Sequence, residues 1–155
     1  MSNKLLWLFI KLMKFFMKIK LTWMAKFVSF FIRIFLSAQF PPEVTIGNGT
    51  VFGYGGLAVV LHKDAIIGSN CRIGTGVTLG SKNPDIRAPK IGNNCFIGSG
   101  AKILGGITIA DDCVIGANAV VTSDIPSRSI AVGIPAKIIK SDIDIAQYNE
   151  SFYKQ

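Results

Sequence analysis

The sequence is short of the residues that build metal centres and disulfide frameworks. It contains one histidine, His62, and three cysteines, Cys71, Cys95 and Cys113, none of which forms a Cys-x-x-Cys pair. A catalytic zinc site with three histidine ligands is therefore excluded, and neither a structural zinc site nor a disulfide framework is predicted. Unpaired cysteines fit a reducing compartment, so we expect a cytoplasmic protein without a bound metal.

Acidic residues are absent from the first forty positions. The chain carries a net charge of +8, and residues 1–40 supply +7 of it through Lys4, Lys11, Lys14, Lys18, Lys20, Lys26 and Arg33. Residues 41–155 hold ten basic and nine acidic residues, so the main body is nearly neutral. Such a body lacks the basic surface that a nucleic-acid backbone requires, which excludes nucleic acid as a partner.

Residues 1–40 also lack the run of about 20 largely uncharged residues that a membrane-spanning helix needs. At 100° per residue, one side of a helix collects most of the polar residues, and only Lys20 breaks the pattern; that side holds Lys4, Lys11, Lys14, Lys18, Thr22, Lys26, Ser29 and Arg33. The sequence predicts one basic amphipathic helix that ends at Pro41-Pro42 and lies on a membrane surface. Two alternatives stay open: a signal peptide cleaved near Ser37-Ala38, and packing on the chain's own domain or a neighbouring subunit.

Aliphatic residues recur every six positions in the main body, commonly followed by glycine. The repeats begin at Ile46, Ile67, Ile73, Leu79, Ile91, Ile97, Ile103, Ile109, Ile115 and Val121. A six-residue period suits a short strand and a tight corner, with the aliphatic side chain pointing inward. Three repeats form one coil of about 18 residues, and coils stack about 4.8 Å apart. The predicted fold is all-β, a parallel β-helix of triangular section.

Two stretches interrupt the repeat. Phe52 and Leu61 are nine residues apart, across a glycine-rich run, and residues 81–90 lose the pattern and contain two prolines. We predict that 81–90 is a loop lifted off the prism, in a position typical of specificity loops. The three cysteines fall at the small inward position of their repeats and are predicted to be structural.

Three segments resemble the hexapeptide-repeat acyltransferases, especially the branch that contains serine acetyltransferases and saccharide O-acetyltransferases. They are 97–105 (IGSGAKILG), 115–121 (IGANAVV) and 131–137 (AVGIPAK). The resemblance covers about residues 42–140 and does not include 1–40. It implies a left-handed β-helix, a homotrimer, and acetyl transfer from acetyl-CoA bound in a groove between two prisms. The implied acetyl-CoA contacts are Ser99 and Ala117 on the pantetheine arm, Thr122 and Ser123 at its far end, and Lys137 and Lys140 at the nucleotide phosphates.

A counting argument selects the catalytic residue. Counting back by 18 from Gly116 gives Gly98, Gly80 and then His62. We therefore expect His62 on the same prism edge as Ser99 and Ala117, about 14 Å below the level of Ala117. We predict that His62 is the general base for an acceptor hydroxyl, and that a backbone N–H near Gly80 stabilises the oxyanion.

The acceptor is predicted from departures from the serine acetyltransferases. Those enzymes carry an Asp-His pair where this chain has Gly53-Tyr54, a second histidine in the loop that here contains Asn83 and Asp85, and a much larger helical N-terminal domain. Tyr54, Asn83 and Asp85 are therefore candidate acceptor-binding residues, and a saccharide, either a surface glycan or a lipid-linked precursor, is the predicted acceptor. Serine O-acetylation is the alternative, and a non-enzymatic, membrane-anchored trimeric scaffold is a second alternative.

The sequence thus predicts three segments: a basic helical segment at 1–40, an acyltransferase domain at 41–140 and a tail at 141–155. A cytoplasmic enzyme with such a helix is expected to be peripheral on the inner face of the plasma membrane.

Overall fold

The computed structural model describes residues 3–84 and 86–149. Two α-helices, α1 (Asn3–Lys18) and α2 (Thr22–Leu36), precede a series of short strands, and a last helical turn, α3 (Ala146–Asn149), follows them. The strands are β1 (Thr45–Ile46), β2 (Val51–Phe52), β3 (Val60–Leu61), β4 (Ile66–Ile67), β5 (Arg72–Ile73), β6 (Thr78–Gly80), β7 (Lys90–Ile91), β8 (Phe96–Ile97), β9 (Lys102–Leu104), β10 (Thr108–Ile109), β11 (Val114–Ile115), β12 (Val120–Val121), β13 (Ile130–Gly133) and β14 (Ala136–Lys140).

The strands form three parallel sheets that are the faces of a triangular prism. Face 1 contains β1, β4, β7 and β10, face 2 contains β2, β5, β8, β11 and β13, and face 3 contains β3, β6, β9 and β12. The chain visits the faces in that order in every coil, and β14 closes face 2 by pairing antiparallel with β13. The left-handed parallel β-helix is confirmed: the repeat predicted its triangular section, and the family resemblance implied its hand.

The coils have unequal lengths. On face 1, Ile46 pairs with Ile67, Ile67 with Ile91 and Ile91 with Ile109, so successive steps span 21, 24 and 18 residues. The first long step includes the turn after Phe52, and the second includes residues 81–90. These insertions change which repeat stacks on which, with consequences for the site.

Aliphatic side chains and small residues fill the interior of the prism. The inward positions predicted from the repeat are buried, among them Ile67, Ile97 and Ile115. Cys71, Cys95 and Cys113 are fully buried, and their thiols donate to the carbonyl oxygens of Gly92, Ala110 and Pro126 at 3.0–3.1 Å. Hydrogen bonds with the neighbouring thiols, together with burial, raise the pKa of Cys95. This neutral, buried thiol fits the structural role predicted for Cys95.

The N-terminal segment is helical, but it forms a hairpin of two helices rather than one helix. The break falls at Lys20, the residue that interrupts the polar stripe, where the backbone takes a left-handed conformation (φ 61°). The second helix ends at Leu36, with Ser37 in the same conformation (φ 49°), so it ends before Pro41-Pro42 and not at them. The prediction of one continuous helix up to the prolines is therefore wrong.

One side of the hairpin packs on the first coil of the prism. Its buried side chains are Leu6, Ile10, Met13, Ala25, Val28, Ile32 and Leu36. Trp7 Nε1 donates to the Thr50 carbonyl oxygen at 2.9 Å, and Lys14 Nζ donates to the Pro42 carbonyl oxygen at 2.9 Å. Packing on the chain's own domain, one of the open alternatives, thus accounts for one side of the segment.

Neither α1 nor α2 combines the length and the apolar character required to cross a bilayer, and the same holds for α3, the remaining α-helix among residues 3–84 and 86–149.

Candidate active site

The predicted site residues lie on two different edges of the prism. Edge 2/3, where face 2 turns into face 3, carries Ser99 and Ala117, because they follow the face-2 strands β8 and β11. Edge 3/1, where face 3 turns into face 1, carries His62, Gly80 and Thr122, which follow or end the face-3 strands β3, β6 and β12. The expectation that His62 shares an edge with Ser99 and Ala117 is wrong.

The counting argument fails at the loop 81–90. Leu79 pairs with Ile103, 24 residues later, whereas the argument assumed 18. Six extra residues keep the six-residue phase of the repeat but move every later repeat by one face. The step from His62 to Gly80 is correct, since the preceding residues Leu61 and Leu79 are paired. The step from Gly98 to Gly116 is also correct, since Ile97 pairs with Ile115. The step from Gly80 to Gly98 crosses the loop and changes edge.

His62 stands at the start of a ladder of residues on edge 3/1. Above it lie Gly80, then Leu104, then Thr122, because the strands that end in these residues are paired in register. Three coil spacings, about 14 Å, separate the levels of His62 and Thr122. Ser123 follows Thr122 and is exposed. The structure therefore unites His62 with Gly80, the predicted oxyanion position, and with two of the predicted acetyl-CoA contacts, Thr122 and Ser123.

The His62 imidazole is held by Asp64, two positions further along the chain. Its Nδ1 accepts a hydrogen bond from the Asp64 backbone N–H at 3.2 Å and lies 3.8 Å from Asp64 Oδ2. An Nδ1 that accepts carries no proton, so this geometry assigns the proton of the neutral ring to Nε2. The side chain is 26 % exposed, which leaves the ring accessible from the edge.

Asp64 is a further candidate site residue, which the sequence analysis did not single out. Its Oδ2 accepts a hydrogen bond from Lys63 Nζ at 2.7 Å. That bond lowers the pKa of the Asp64 carboxyl and raises the pKa of Lys63, so the carboxylate is charged at neutral pH. The available signal was the spacing His-x-Asp, which places a carboxylate within reach of an imidazole across a tight turn.

A cleft opens beside this ladder. It has a volume of about 430 Å³ and is lined by Asp64, Ile86, Arg87, Ala88, Lys90, Gly106 and Thr108. Residues 86–88 belong to the predicted loop, whose other described members from 81 to 84, including the candidate Asn83, are exposed. Asp85 lies outside the described residues. The loop thus forms one wall of a cleft next to the candidate base, as expected of a specificity loop.

A second cleft, of about 320 Å³, lies at edge 2/3. It is lined by Val51, Gly53, Tyr54, Arg72, Ile73, Gly74, Thr75, Phe96 and Ser99. Tyr54, a candidate acceptor residue, is 83 % exposed here beside Ser99, a candidate acetyl-CoA contact, and lies away from the loop that holds Asn83. Arg72, 8 % exposed, adds a cation to the lining that the sequence analysis assigned no role.

On edge 2/3, the glycines lie close to the backbone of the next coil. A Cβ atom added to Gly74 would lie 2.5 Å from the Ser99 nitrogen, and one added to Gly98 would lie 2.5 Å from the Ala117 nitrogen. Ser99 and Ala117 themselves are exposed. Small side chains therefore leave the backbone of this edge open to an extended ligand.

Lys137 and Lys140 lie on β14, at the end of face 2 beyond β11 and β13. Both are exposed, Lys137 opposite Val132 and Lys140 opposite Ile130 in the β13–β14 pairing. They therefore belong to the face that leads to edge 2/3 and not to the His62 ladder. In the part of the chain that is described, histidine, cysteine and acidic side chains form no cluster of three or more fit to hold a metal ion.

Comparisons with known proteins agree with this architecture. A family model described as bacterial transferase hexapeptide (six repeats) matches residues 88–123. A serine acetyltransferase from Helicobacter pylori (strain ATCC 700392 / 26695) is 41 % identical over 120 residues, which cover 76 % of this chain and 70 % of that protein. One from Staphylococcus xylosus is 40 % identical over 121 residues.

Solved structures give the same result. Serine acetyltransferase in complex with coenzyme A from Brucella abortus strain S19 superposes with a TM-score of 0.81 at 28 % identity, covering 86 % of this chain and 54 % of that one. Soybean serine acetyltransferase complexed with serine gives a TM-score of 0.79 at 33 % identity, covering 84 % and 54 %.

A triangular β-helix with this repeat defines the class of hexapeptide-repeat transferases. Within that class, the chain belongs to the family of the serine acetyltransferases. The match to the Staphylococcus xylosus protein covers 77 % of this chain but only 56 % of that protein, so the chain spans little more than half of that relative's length.

Proposed function

We propose that the protein transfers an acetyl group from acetyl-CoA to the hydroxyl of serine. The observation that carries the proposal is the 41 % identity to a serine acetyltransferase of which the chain spans 70 %. The coenzyme A complex and the serine complex among the related structures support the donor and the acceptor, respectively. These relatives favour serine, the alternative in the sequence analysis, over the saccharide that it ranked first.

The residues on edge 2/3 suit the donor. Ser99 and Ala117 are small and exposed, so the amides of a pantetheine arm can approach the backbone of this edge closely. The exposed cations Lys137 and Lys140 on the same face suit the phosphates at the nucleotide end. Over the coils that carry Thr75, Ser99 and Ala117, a ligand lying along this edge meets only small residues at the corner.

The chemistry proposed for His62 is direct transfer. The imidazole takes the proton of the acceptor hydroxyl while its oxygen attacks the thioester carbonyl, and the C–O bond forms. The C–S bond then breaks, and the imidazolium returns the proton to the leaving thiolate. No covalent enzyme intermediate is needed.

This role requires an unprotonated Nε2, so the Nδ1 must carry the proton in the reactive ring. The described geometry has the opposite tautomer, with Nδ1 accepting from the Asp64 N–H. Asp64 Oδ2, 3.8 Å from Nδ1, is the group placed to accept an Nδ1–H after a small side-chain rotation away from Lys63. We therefore assign Asp64 as the positioning residue for His62.

The two edges act together only if two chains meet. Face 3 separates Ala117 from the His62 ladder, and six residues of strand and corner span up to about 20 Å. Acetyl-CoA along edge 2/3 of one prism reaches the His62 edge of an adjacent prism in a trimer, the assembly that the family resemblance implies. The proposed site thus combines His62 and Asp64 of one chain with Ser99 and Ala117 of another.

A thiol-release assay with acetyl-CoA tests the activity and the acceptor together. The purified chain is given L-serine, free sugars, nucleotide sugars or a lipid-linked glycan in parallel reactions, and the acetylated product is identified by mass. Release of CoA with serine alone is expected. Release only with a sugar acceptor would replace serine by a saccharide, and an absence of release together with no acetyl-CoA effect on Tm would favour the non-enzymatic scaffold.

A further inference from the structure

The helical hairpin has a second apolar side that faces away from the prism. On α2, Trp23, Phe27, Phe30, Phe31 and Ile34 lie at helical spacing on the side opposite to the buried residues Ala25, Val28 and Ile32. Trp23 is 65 % exposed and Ile34 is 58 % exposed. We call the residues on this side of α1 and α2 the outer apolar face; on α1 they are Leu5, Leu8, Leu12 and Phe15, and Ile19 follows in the turn.

Packing on the prism does not account for the outer apolar face. The buried stripes of α1 and α2 already anchor the hairpin to the first coil, so the exposed aromatic residues are not required for that packing. A contiguous exposed apolar surface marks an interaction site.

Cations border this face. Lys11 and Lys18 on α1 and Lys26 and Arg33 on α2 are exposed, and Lys20 is exposed in the turn between the helices. Lys14 on α1 is not part of this border, because its ammonium donates to the backbone oxygens of Pro42 and Val44. No acidic residue occurs in 1–40, whereas the prism region is close to neutral.

We propose that the outer apolar face binds the surface of an anionic lipid bilayer, with the hairpin lying in the interface. Aromatic and aliphatic side chains enter the boundary between headgroups and acyl chains, while the bordering lysines and arginine meet lipid phosphates. Neither helix is able to cross the bilayer, so the contact is peripheral.

A second copy of the chain is the less suitable occupant. Pairing two outer apolar faces would bring two acid-free cationic borders together, and like charges oppose such a contact. An anionic membrane neutralises the same charges. The proposal does not depend on the enzymatic activity.

Vesicle flotation of the full chain tests the proposal. The protein is mixed with vesicles of phosphatidylcholine, or with vesicles in which about a third of the lipid is phosphatidylglycerol, at low and at high salt. Flotation with the anionic vesicles, weakened by salt, is expected. No flotation with anionic vesicles overturns the proposal.

Two pairs of substitutions locate the surface. Phe27→Ser with Phe30→Ser should abolish flotation, and Lys11→Gln with Lys18→Gln should raise the lipid concentration for half-maximal binding about tenfold or more. Ile86→Ser and Lys82→Gln, in the exposed loop of the prism, are the matched controls and should bind like the unmodified chain. Circular dichroism checks that each variant is folded.

Equal flotation of the Phe27→Ser/Phe30→Ser variant and the unmodified chain would overturn the assignment of this face. Light scattering tests whether a second copy of the chain occupies the face instead. If the unmodified chain assembles without lipid, the Phe27→Ser/Phe30→Ser variant dissociates and vesicles are not bound, the face belongs to a second copy.

Discussion

At the scale of single residues, His62 and Asp64 make the sharpest prediction. Replacing His62 with Ala should lower kcat by about 10²- to 10⁴-fold, because it removes the proposed general base, while the Kd for acetyl-CoA changes little. Turnover is measured by thiol release and donor affinity by thermal shift. Unchanged turnover would remove His62 from the mechanism.

Asp64→Asn separates positioning from catalysis. Asn keeps the backbone N–H that meets Nδ1 but loses the charge that would hold an Nδ1–H, so we expect a smaller kcat, an unchanged KM and an altered pH profile. Lys63→Gln frees the Asp64 carboxylate from its partner and should not lower kcat. An identical loss in both variants would indicate a merely structural role for the turn.

Two glycines with similar sequence contexts should respond differently to the same substitution. Gly98→Ala would place a methyl group 2.5 Å from the Ala117 nitrogen, so the free energy of unfolding should fall by about 1–3 kcal/mol. In Gly80→Ala, the added methyl group would lie 3.4 Å from Leu104 Cδ2, an ordinary contact. The free energy of unfolding should therefore change by no more than about 0.5 kcal/mol. Equilibrium denaturation at one protein concentration measures both values, and equal values would contradict the stacking described for edge 2/3.

These residues also show how far the sequence predicts the site. The inward aliphatic positions and the cysteines follow directly from the six-residue repeat, because burial repeats with the coil. The pairing of His62 with Asp64 does not, because the contact depends on the turn that joins them. The count that selected His62 fails at the loop 81–90, and it gave no sign of Asp64.

At the scale of elements, the N-terminal hairpin illustrates a different limit. The helical period predicts helix correctly over most of 1–36, and the misplaced Lys20 marks the turn. The periodicity of 1–40 separates polar from apolar positions, but it does not say which apolar side chains meet the prism. Ser29, assigned to the polar stripe, is buried and donates to the Phe40 carbonyl oxygen at 2.7 Å.

The two sides of α1 are distinguished by one substitution at two neighbouring positions. Leu6 is fully buried and Leu8 is 60 % exposed. Leu6→Ala should lower the free energy of unfolding by about 2–5 kcal/mol, because it leaves a cavity between the hairpin and the first coil. Leu8→Ala should change it by no more than about 0.5 kcal/mol. Denaturant titration followed by tryptophan fluorescence measures both, and similar losses would mean that the hairpin does not pack as described.

At the scale of the whole molecule, one insertion decides where the site residues meet. A loop whose length preserves the six-residue phase is invisible to a search for repeats, yet it moves Ser99 and Ala117 to another edge from His62. The fold was therefore predictable, since it depends on phase, whereas the site was not, since it depends on the number of repeats per coil. Separation of the edges also turns the oligomeric state into part of the catalytic argument.

Mixed trimers test whether the site is shared between chains. His62→Ala and Ala117→Trp should each be inactive alone, the first without its base and the second with edge 2/3 blocked. Co-expressed in equal amounts, they should regain about a quarter of the wild-type activity, since one interface in four joins an intact His62 edge to an intact Ala117 edge. Differently tagged chains allow the mixed trimers to be purified, and these should have about a third of the wild-type thiol-release activity, because each mixed ring contains one intact interface in three. If one chain supplied both edges of its own site, mixing would restore nothing, and the proposed arrangement between neighbouring prisms would be wrong.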